Sequence, residues 1–148
     1  MNEFSLPLQL RWSDIDANRH LRHSVYYDYG ALCRMALFTQ IGLSIEMLQQ
    51  HHIGPILFRE EAVFRREILF DDNLTISAEV IKATSDYSRW SFRHSFMKSG
   101  DTLAATLTVD GAWIDTRKRK LAVPPLFLFD AFSRIPKSKD FEEHVLKA

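Results

Sequence analysis

The hydrophobic pattern of this chain changes from a helical period to a strand period between Ile41 and Ile56, and that change restricts the folds it can adopt. From Val25 to Ile41, apolar side chains recur every three to four residues, which predicts a helix of about five turns. From Ile56 onward they alternate with polar residues, which is typical of strands with one buried face. This order predicts an α+β fold in which an antiparallel sheet covers the helix.

Turn and capping residues predict where these elements begin and end. Ser24 is a candidate N-cap of the long helix, and Ser44 is a candidate N-cap of a short helix that ends at Gln50. One strand is predicted before the long helix, over residues 6–12. The later strands are predicted over residues 56–68, 74–80, 90–96 and 103–113, with a hairpin turn at residues 99–101.

Length and composition indicate one cytoplasmic domain. A chain of 148 residues with 46% hydrophobic content can bury one core. Its 19 basic and 19 acidic side chains give no net charge, which argues against nucleic acid as the main partner. Neither a signal peptide nor a membrane-spanning segment is recognisable. Cys33 is the one cysteine, and its place in the helical apolar pattern predicts a core residue rather than a nucleophile.

The junction between the first strand and the long helix carries several chemically active side chains. Asp14 and Asp16 are two residues apart, so both carboxylates face the same way in an extended segment. Two like charges held close raise the pKa of one of them, and such a carboxylate can act as a base near neutral pH. Asn18 and His20 continue the same spacing, and the helix start supplies backbone N–H groups that can bind an oxyanion.

Two metal sites and one structural role are alternatives to a catalytic site here. A calcium loop would need Gly and Glu where Arg19 and Val25 stand. A zinc site at His20 and His23 has no paired-cysteine or H-E-x-x-H pattern to complete it. We therefore expect no metal and no other cofactor. The structural alternative, in which Asp, Asn and Ser side chains form turns and cap the helix, remains open.

The element order and the junction motif together resemble the hotdog-fold thioesterases, in which a curved antiparallel sheet wraps a central helix. Residues 11–16, RWSDID, resemble the strand-end motif of the hydroxybenzoyl-CoA and acyl-CoA thioesterases. Residues 16–21, DANRHL, resemble the D-x-N-x-H-V stretch of plant-type acyl-ACP thioesterases. Many acyl-CoA thioesterases of this type carry Gly where Arg19 stands. The likeness covers about residues 6–124 and implies a hotdog thioesterase domain over residues 1–124.

The resemblance implies an enzyme that hydrolyses an acyl thioester. Asp16 matches the family's catalytic carboxylate and would deprotonate water or attack the carbonyl carbon, with Asn18 and His20 as the other catalytic candidates. Asp14 is expected to fix the loop. For His20 we expect a supporting role, because Arg19 and Arg22 beside it disfavour a protonated imidazole.

Substrate binding is predicted at the helix start and on one strand. Backbone N–H groups at the helix start would polarise the carbonyl, and the residues concerned are His23, Ser24, Val25 and Tyr26. Glu61 would point inward and face the Asp16 loop of a partner subunit. Basic residues at 65–66, 89 and 117–120 could bind CoA phosphates or form solvated strand edges. Acyl-CoA is the expected substrate. The alternatives are an acyl-ACP thioesterase and a non-catalytic acyl-CoA binding protein.

The end of the chain, residues 125–148, is predicted to be an extension that packs on the core or on a second subunit. Its apolar run at 126–132 would be buried, and its charged end at 137–148 would form a short helix or fray. A sheet with a helix on one face leaves an edge and a face free to pair, so we also predict a homodimer or homotetramer.

Overall fold

The residues with helical spacing form helix α1 (Val25–Gln40), and those that alternate form strands around it. The structure is a computed structural model that describes residues 1–146. The other elements, in chain order, are β1 (Ser5–Leu8), α2 (Ile45–Gln50), β2 (Ile53–Phe64), β3 (Leu74–Ser77), β4 (Glu79–Ala83), β5 (Arg89–Lys98), β6 (Thr102–Asp115), β7 (Lys120–Leu121), α3 (Leu126–Ser133) and β8 (Lys137–Glu143). A turn of 3-10 helix, Trp12–Asp14, follows β1.

All of these strands belong to one curved sheet. Strand β5 pairs with both β3 and β4; β1 then pairs with β3, and β8 pairs with β4. Strand β5 also pairs with β6, which pairs in turn with the edge strand β2 and with the short β7. Every pairing between strands is antiparallel except that of β4 with β8. The predicted antiparallel sheet around a long central helix is therefore confirmed.

Strand β2 contains a bulge that changes which side chains face the helix. Leu57 pairs with Gly111, but Arg59 pairs with Asp110, so Phe58 is an extra residue on the β2 side. Beyond the bulge, the alternation along β2 is shifted by one position. This shift decides the orientation of the glutamates discussed below.

The core fills the space between α1 and the concave face of the sheet. Its largest fully buried side chains include Trp113, Phe38, Phe92 and Phe132. The rings of Phe38 and Trp113 lie 5.7 Å apart, and Phe132 brings α3 into the same cluster, 6.2 Å from Trp113. Cys33 is fully buried in this core, and burial raises the pKa of its thiol to about 12, as expected for a packing residue.

One polar pair is buried with these apolar side chains. The Arg34 guanidinium Nη1 lies 3.0 Å from His94 Nε2, and His94 Nδ1 lies 3.0 Å from the Ser77 carbonyl oxygen. Burial and the charge of Arg34 lower the pKa of His94 to about 3, so the imidazole is neutral and accepts from Arg34. The pair packs beneath Gly30 of α1, where a Cβ atom would come within 3.4 Å of both side chains.

The charged end of the chain differs from its prediction. Residues 137–143 form strand β8, whereas a solvated helix or a frayed end was expected. The strand forms because β4 offers a free edge and because Arg93 binds both Glu79 and Asp140, at 2.7 and 3.0 Å. The apolar run before it forms α3, whose Leu128 and Phe132 are buried in the core. Residues 147–148 of the predicted segment lie outside the described residues.

The first strand is also shorter than predicted. It ends at Leu8, and the segment expected to stay extended to residue 12 turns into the 3-10 helix. At the helix starts, Ser44 caps α2 by accepting a hydrogen bond from the Met47 N–H at 3.1 Å. No helix within residues 1–146 is long and apolar enough to span a membrane.

Candidate active site

The loop between the 3-10 turn and α1 is built around the carboxylate of Asp16. Its Oδ1 accepts hydrogen bonds from the backbone N–H groups of Asn18 and His20, at 2.9 and 3.1 Å, while the Asp16 N–H donates to the His20 carbonyl at 2.9 Å. Within residues 1–146, Oδ2 has no hydrogen-bond partner. The loop therefore holds the carboxylate in place and leaves one oxygen for a reacting molecule.

This loop requires a left-handed residue, and Arg19 supplies it. Its φ is 68°, and its N–H donates to the Asp16 carbonyl at 3.0 Å. Glycine adopts this conformation freely, whereas other residues store about 1–3 kcal/mol of strain in it. The turn thus keeps a conformation suited to glycine although the side chain is an arginine.

Asp14 has different partners from Asp16, so the predicted pairing of the two carboxylates is wrong. Asp14 is fully buried and accepts from the guanidinium of Arg11 at 2.8 Å and from the hydroxyl of Tyr29 at 2.5 Å. The 3-10 turn breaks the every-second-residue geometry that the prediction assumed. Asp14 ties this turn to α1, which agrees with its expected role in fixing the loop.

Replacing Asp14 with Asn should destabilise the fold by about 1–3 kcal/mol near neutral pH, because the buried network loses its negative charge and one of its two acceptor oxygens becomes a donor. Burial alone raises the pKa of Asp14, but hydrogen bonds from Arg11 and Tyr29 outweigh it and lower the pKa below its ordinary value. The carboxylate form therefore stabilises the fold above pH about 4, and that contribution is lost as the pH falls through the folded-state pKa. Urea unfolding should show a wild-type advantage that shrinks in acid; an advantage independent of pH would contradict this role.

A cavity of about 330 Å³ lies beside the Asp16 carboxylate and the first turn of α1. The residues that line it are Asp16, His20, Leu21, His23, Tyr26, Phe64, Arg65, Arg66 and Glu67. The Tyr26 ring packs between Phe64 and Phe96, at 4.9 and 5.0 Å. Burial, and secondly the charge of Asp16, raise the pKa of the Tyr26 hydroxyl to about 12. We call this space the Asp16 cavity.

The start of α1 offers fewer free donors than predicted. The Val25 N–H donates to the Arg22 carbonyl at 3.0 Å, and the Val25 side chain is fully buried. The Ser24 hydroxyl accepts from Arg22 at 2.6 Å and does not cap the helix. Among the described residues, the Tyr26 N–H has no acceptor, as is usual for a helix start. His23 and Tyr26 line the Asp16 cavity, whereas Ser24 and Val25 do not.

His20 is held by a residue that the sequence analysis missed. Its Nε2 lies 2.7 Å from a carboxylate oxygen of Glu67, which follows the end of β2. Arg22, expected to disfavour a charged imidazole, instead binds the Ser24 hydroxyl. The charged group that contacts the imidazole is thus a carboxylate, which can share a proton with it. The pair lines the Asp16 cavity.

Two predicted site residues lie away from the cavity. Asn18 is exposed and supports Asp16 through its backbone N–H, and its side chain does not line the cavity. Glu61 neighbours Ala62, which pairs with Leu107, a buried side chain that faces α1. Because neighbours on a strand face opposite ways, Glu61 faces away from the helix, where it binds Arg59 at 2.7 Å. Glu60, rather than Glu61, lies on the helix side of β2.

Of the basic residues considered for CoA phosphates, the structure brings two to the cavity. Arg65 and Arg66 line the Asp16 cavity, where their backbone N–H groups both donate to the Ala104 carbonyl at 2.8 and 2.9 Å. Arg89 instead lies over the ring of Phe58, beside a different cavity. Residues 117–119 lie in the exposed turn between β6 and β7, and Lys120 is the first residue of β7.

Residues 10–148 match the model of the Thioesterase-like superfamily. The chain belongs to this superfamily. Membership confirms the class predicted from the sequence, a thioester hydrolase of the hotdog fold. No curated protein matched the sequence.

Several solved structures share this fold. A hypothetical protein from Staphylococcus aureus in complex with CoA has a TM-score of 0.84 and 18% identity, covering 99% of this chain and 96% of that chain. A DHNA-CoA thioesterase from Staphylococcus aureus has a TM-score of 0.79 and 15% identity, covering 90% and 91%. A 1,4-dihydroxy-2-naphthoyl-CoA thioesterase from Synechocystis has a TM-score of 0.78 and 15% identity, covering 90% and 97%. At these identities the similarity shows a shared fold.

Proposed function

We propose that this member of the superfamily is an acyl-CoA thioesterase with Asp16 as its catalytic carboxylate. The observation that carries the proposal is the unpaired Oδ2 of Asp16, a residue that lines a cavity together with Tyr26 of the first turn of α1. A base and backbone donors on one cavity are what acyl transfer to water needs. The CoA complex of one structural neighbour and the CoA thioesters in the names of two others favour CoA as the carrier.

Asp16 would start the reaction in one of two ways. As a base, it takes a proton from water while the water oxygen bonds to the thioester carbon; as a nucleophile, it bonds to that carbon and gives a mixed anhydride that water then hydrolyses. In both routes the carbonyl oxygen gains negative charge, and the Tyr26 N–H, which has no acceptor among the described residues, would stabilise it. One such donor contributes about 3–4 kcal/mol in hydrolases. This charge is lost when the carbon–sulfur bond breaks and the thiolate leaves with a proton, which gives the free acid in the first route and the mixed anhydride in the second.

The His20–Glu67 pair is the proposed source of that proton. The imidazole lines the same cavity as Asp16, and the carboxylate 2.7 Å away fixes its orientation. His20 would act on the leaving sulfur, and Glu67 would be a positioning residue. This is a larger role for His20 than the loop support expected from the sequence, and the contact with Glu67 is the reason for the change.

Replacing Glu67 with Gln should lower kcat about tenfold, since a residue that orients a catalytic imidazole typically contributes on this scale. His20→Ala should lower kcat at least as much, and the double variant should be no slower than His20→Ala, because the two residues act as a unit. The pH profile of kcat should change in both single variants. If the two losses of kcat multiply in the double variant, the residues do not act as a unit. If the variants lower the melting temperature but leave the pH profile of kcat unchanged, the pair has a structural role only.

A hydrolysis screen tests the proposed activity and its alternatives. The same set of acyl groups would be offered on CoA and on acyl carrier protein, with released thiol measured. Turnover of the CoA thioesters supports the proposal, and turnover confined to the carrier-protein thioesters would identify an acyl-ACP thioesterase instead. Saturable binding of acyl-CoA without thiol release would identify a binding protein.

We also propose that the active form is a homodimer joined along β2. This strand pairs with β6 on one side only, and it exposes Leu57, Phe58, Val63 and Phe64, of which Phe64 lines the Asp16 cavity. Antiparallel pairing of two copies centred on Glu60 would place Arg59 opposite the partner's Glu61. A second copy would bury the apolar ends of the strand beside the Asp16 cavity.

Charge reversal tests this interface. Arg59→Glu alone and Glu61→Arg alone should each raise the dimer dissociation constant at least about tenfold, because like charges then face each other. The double reversal should restore dimerisation, and it also keeps the bond between the two residues within each chain. Sedimentation at micromolar concentration gives the readout. Unaltered dimers in both single variants, or a wild-type monomer with full activity, would rule out pairing at this strand.

A further inference from the structure

A second cavity meets the first at Asp16. It has a volume of about 620 Å³, within the range of about 300–1,000 Å³ typical of ligand pockets. The residues that line it are Trp12, Ile15, Asp16, Arg19, Leu69, Phe70 and Asp71. We call it the Trp12 groove. Asp16 therefore stands between two spaces, one beside the start of α1 and one beside the 3-10 turn.

The walls of the Trp12 groove are apolar, exposed and held in place. Trp12 is 76% exposed and Phe70 45% exposed, and their rings meet edge to face at 5.5 Å. Asp72 fixes the turn that carries Phe70, since its carboxylate accepts from the Leu69 N–H at 2.8 Å and its own N–H donates to the Leu69 carbonyl at 3.1 Å. Asp14 and Arg11 fix the turn that carries Trp12.

The two spaces differ in the chemistry they offer. The Asp16 cavity is lined by the His20–Glu67 pair, His23 and two arginines, Arg65 and Arg66, and these arginines suit a phosphate-bearing thiol arm. The Trp12 groove is lined by one cation, Arg19, and by the carboxylates of Asp16 and Asp71, and its remaining walls are hydrocarbon or aromatic. A thioester has two arms that diverge from the reacting carbon, one polar and one apolar. The geometry matches one arm to each space.

We infer that the Trp12 groove binds the hydrocarbon chain of the acyl group, so that the substrates are medium-length or longer aliphatic acyl thioesters. This inference rests on the proposed function, because it places the reacting carbon at Asp16. Binding would cover apolar surface that is exposed in the free protein, and this burial is the driving force. Selectivity for chain length then comes from Trp12, Leu69 and Phe70.

Fluorescence tests the groove without requiring turnover. Trp12 is the exposed tryptophan, whereas Trp90 and Trp113 are 2% and 0% exposed, so a ligand in the groove changes the emission of Trp12 alone. Titration with decanoate should shift the emission to shorter wavelength and saturate, and the shift should disappear in Trp12→Phe. No shift in the wild type, or the same shift in Trp12→Phe, would overturn the inference. A saturable shift without hydrolysis of any thioester would instead reject the proposed function and keep the groove.

Kinetics with matched leucine variants test selectivity. Leu69→Ala should lower the ratio of kcat/KM for decanoyl-CoA to that for butanoyl-CoA about tenfold, the scale on which apolar pockets discriminate. Leu121→Ala removes a similarly exposed leucine from β7 and should leave the ratio unchanged. Equal ratios in wild type and Leu69→Ala would overturn the inference. So would conversion of a wild-type dimer to a monomer by Trp12→Ala, since the groove would then be a subunit contact.

Discussion

Replacing Asp16 with Asn is expected to lower kcat at least about 100-fold, the scale for losing a positioned base or nucleophile. The substitution is well matched to the loop. The Asn Oδ1 can still accept from the N–H groups of Asn18 and His20, and the change falls on the unpaired Oδ2. The loop should therefore keep its shape while the reacting oxygen is replaced by an amide nitrogen. Initial rates of thiol release at saturating acyl-CoA give the measurement.

Asp28→Asn provides the control for this variant. Asp28 is an exposed carboxylate in the first turn of α1, so its replacement makes the same chemical change close to the site without touching the loop. Its kcat should stay within about twofold of the wild type, since isolated surface substitutions have small effects. Near wild-type turnover in folded Asp16→Asn protein would reject Asp16 as the catalytic carboxylate.

Replacing Gly111 with Ala is expected to destabilise the fold by about 3 kcal/mol or more, at the upper end of the cost of overpacking a core. A Cβ atom at this position would lie 2.5 Å from the Ile56 carbonyl oxygen and 2.6 Å from Cζ3 of Trp90. Both neighbours are confined, one by the pairing of β2 with β6 and the other by burial at 2% exposure. The urea midpoint of unfolding should fall accordingly.

Gly54→Ala is the matched control, because Gly54 lies in the same pair of strands. There a Cβ atom would meet only the Thr116 Cγ2, at 3.4 Å, which is an end of a side chain. The free energy of unfolding should change by less than about 1 kcal/mol, and a reduced entropy of the unfolded chain could offset part of that. If Gly111→Ala and Gly54→Ala lowered the free energy of unfolding equally, the neighbours of Gly111 would have to move apart in solution to make room for the methyl group.

Local patterns were sufficient to predict most of the fold. The helical spacing predicted α1, the Ser44 cap predicted α2, and the alternation predicted β5 and β6. A glycine inside a strand indicates a bulge or a close approach to the backbone, and at Gly111 the Trp90 ring and the Ile56 carbonyl oxygen make such an approach. Strand β8 was missed because its charged sequence has no alternating apolar pattern, and its formation depends on β4 and Arg93, which are distant in the sequence.

The candidate site was predictable where it depends on one short segment. Asp16, His20, His23 and Tyr26 lie within eleven residues, and all four line the Asp16 cavity. Glu67 was missed because its contact with His20 joins segments 47 positions apart, and no sequence spacing reports such a contact. The only available signal was an acidic residue directly after two arginines at the end of a strand. For Glu61 the strand alternation gives a different result, because Glu60 shares the helix side of β2 with Ala62 and Phe64.

The two edges of the sheet differ in a way that limits how the protein can assemble. On one side, β1 has four residues including Pro7, and β8 carries charges at most of its positions, so neither offers a good template for another strand. On the other side, β2 is twelve residues long with apolar ends. If two copies pair there about a two-fold axis, each β2 covers the open edge of the other. No unpaired edge of this kind is then left, and assembly ends at the dimer. Loss of β8 would expose β4 as a second growth point and turn a self-limiting pair into an open-ended polymer.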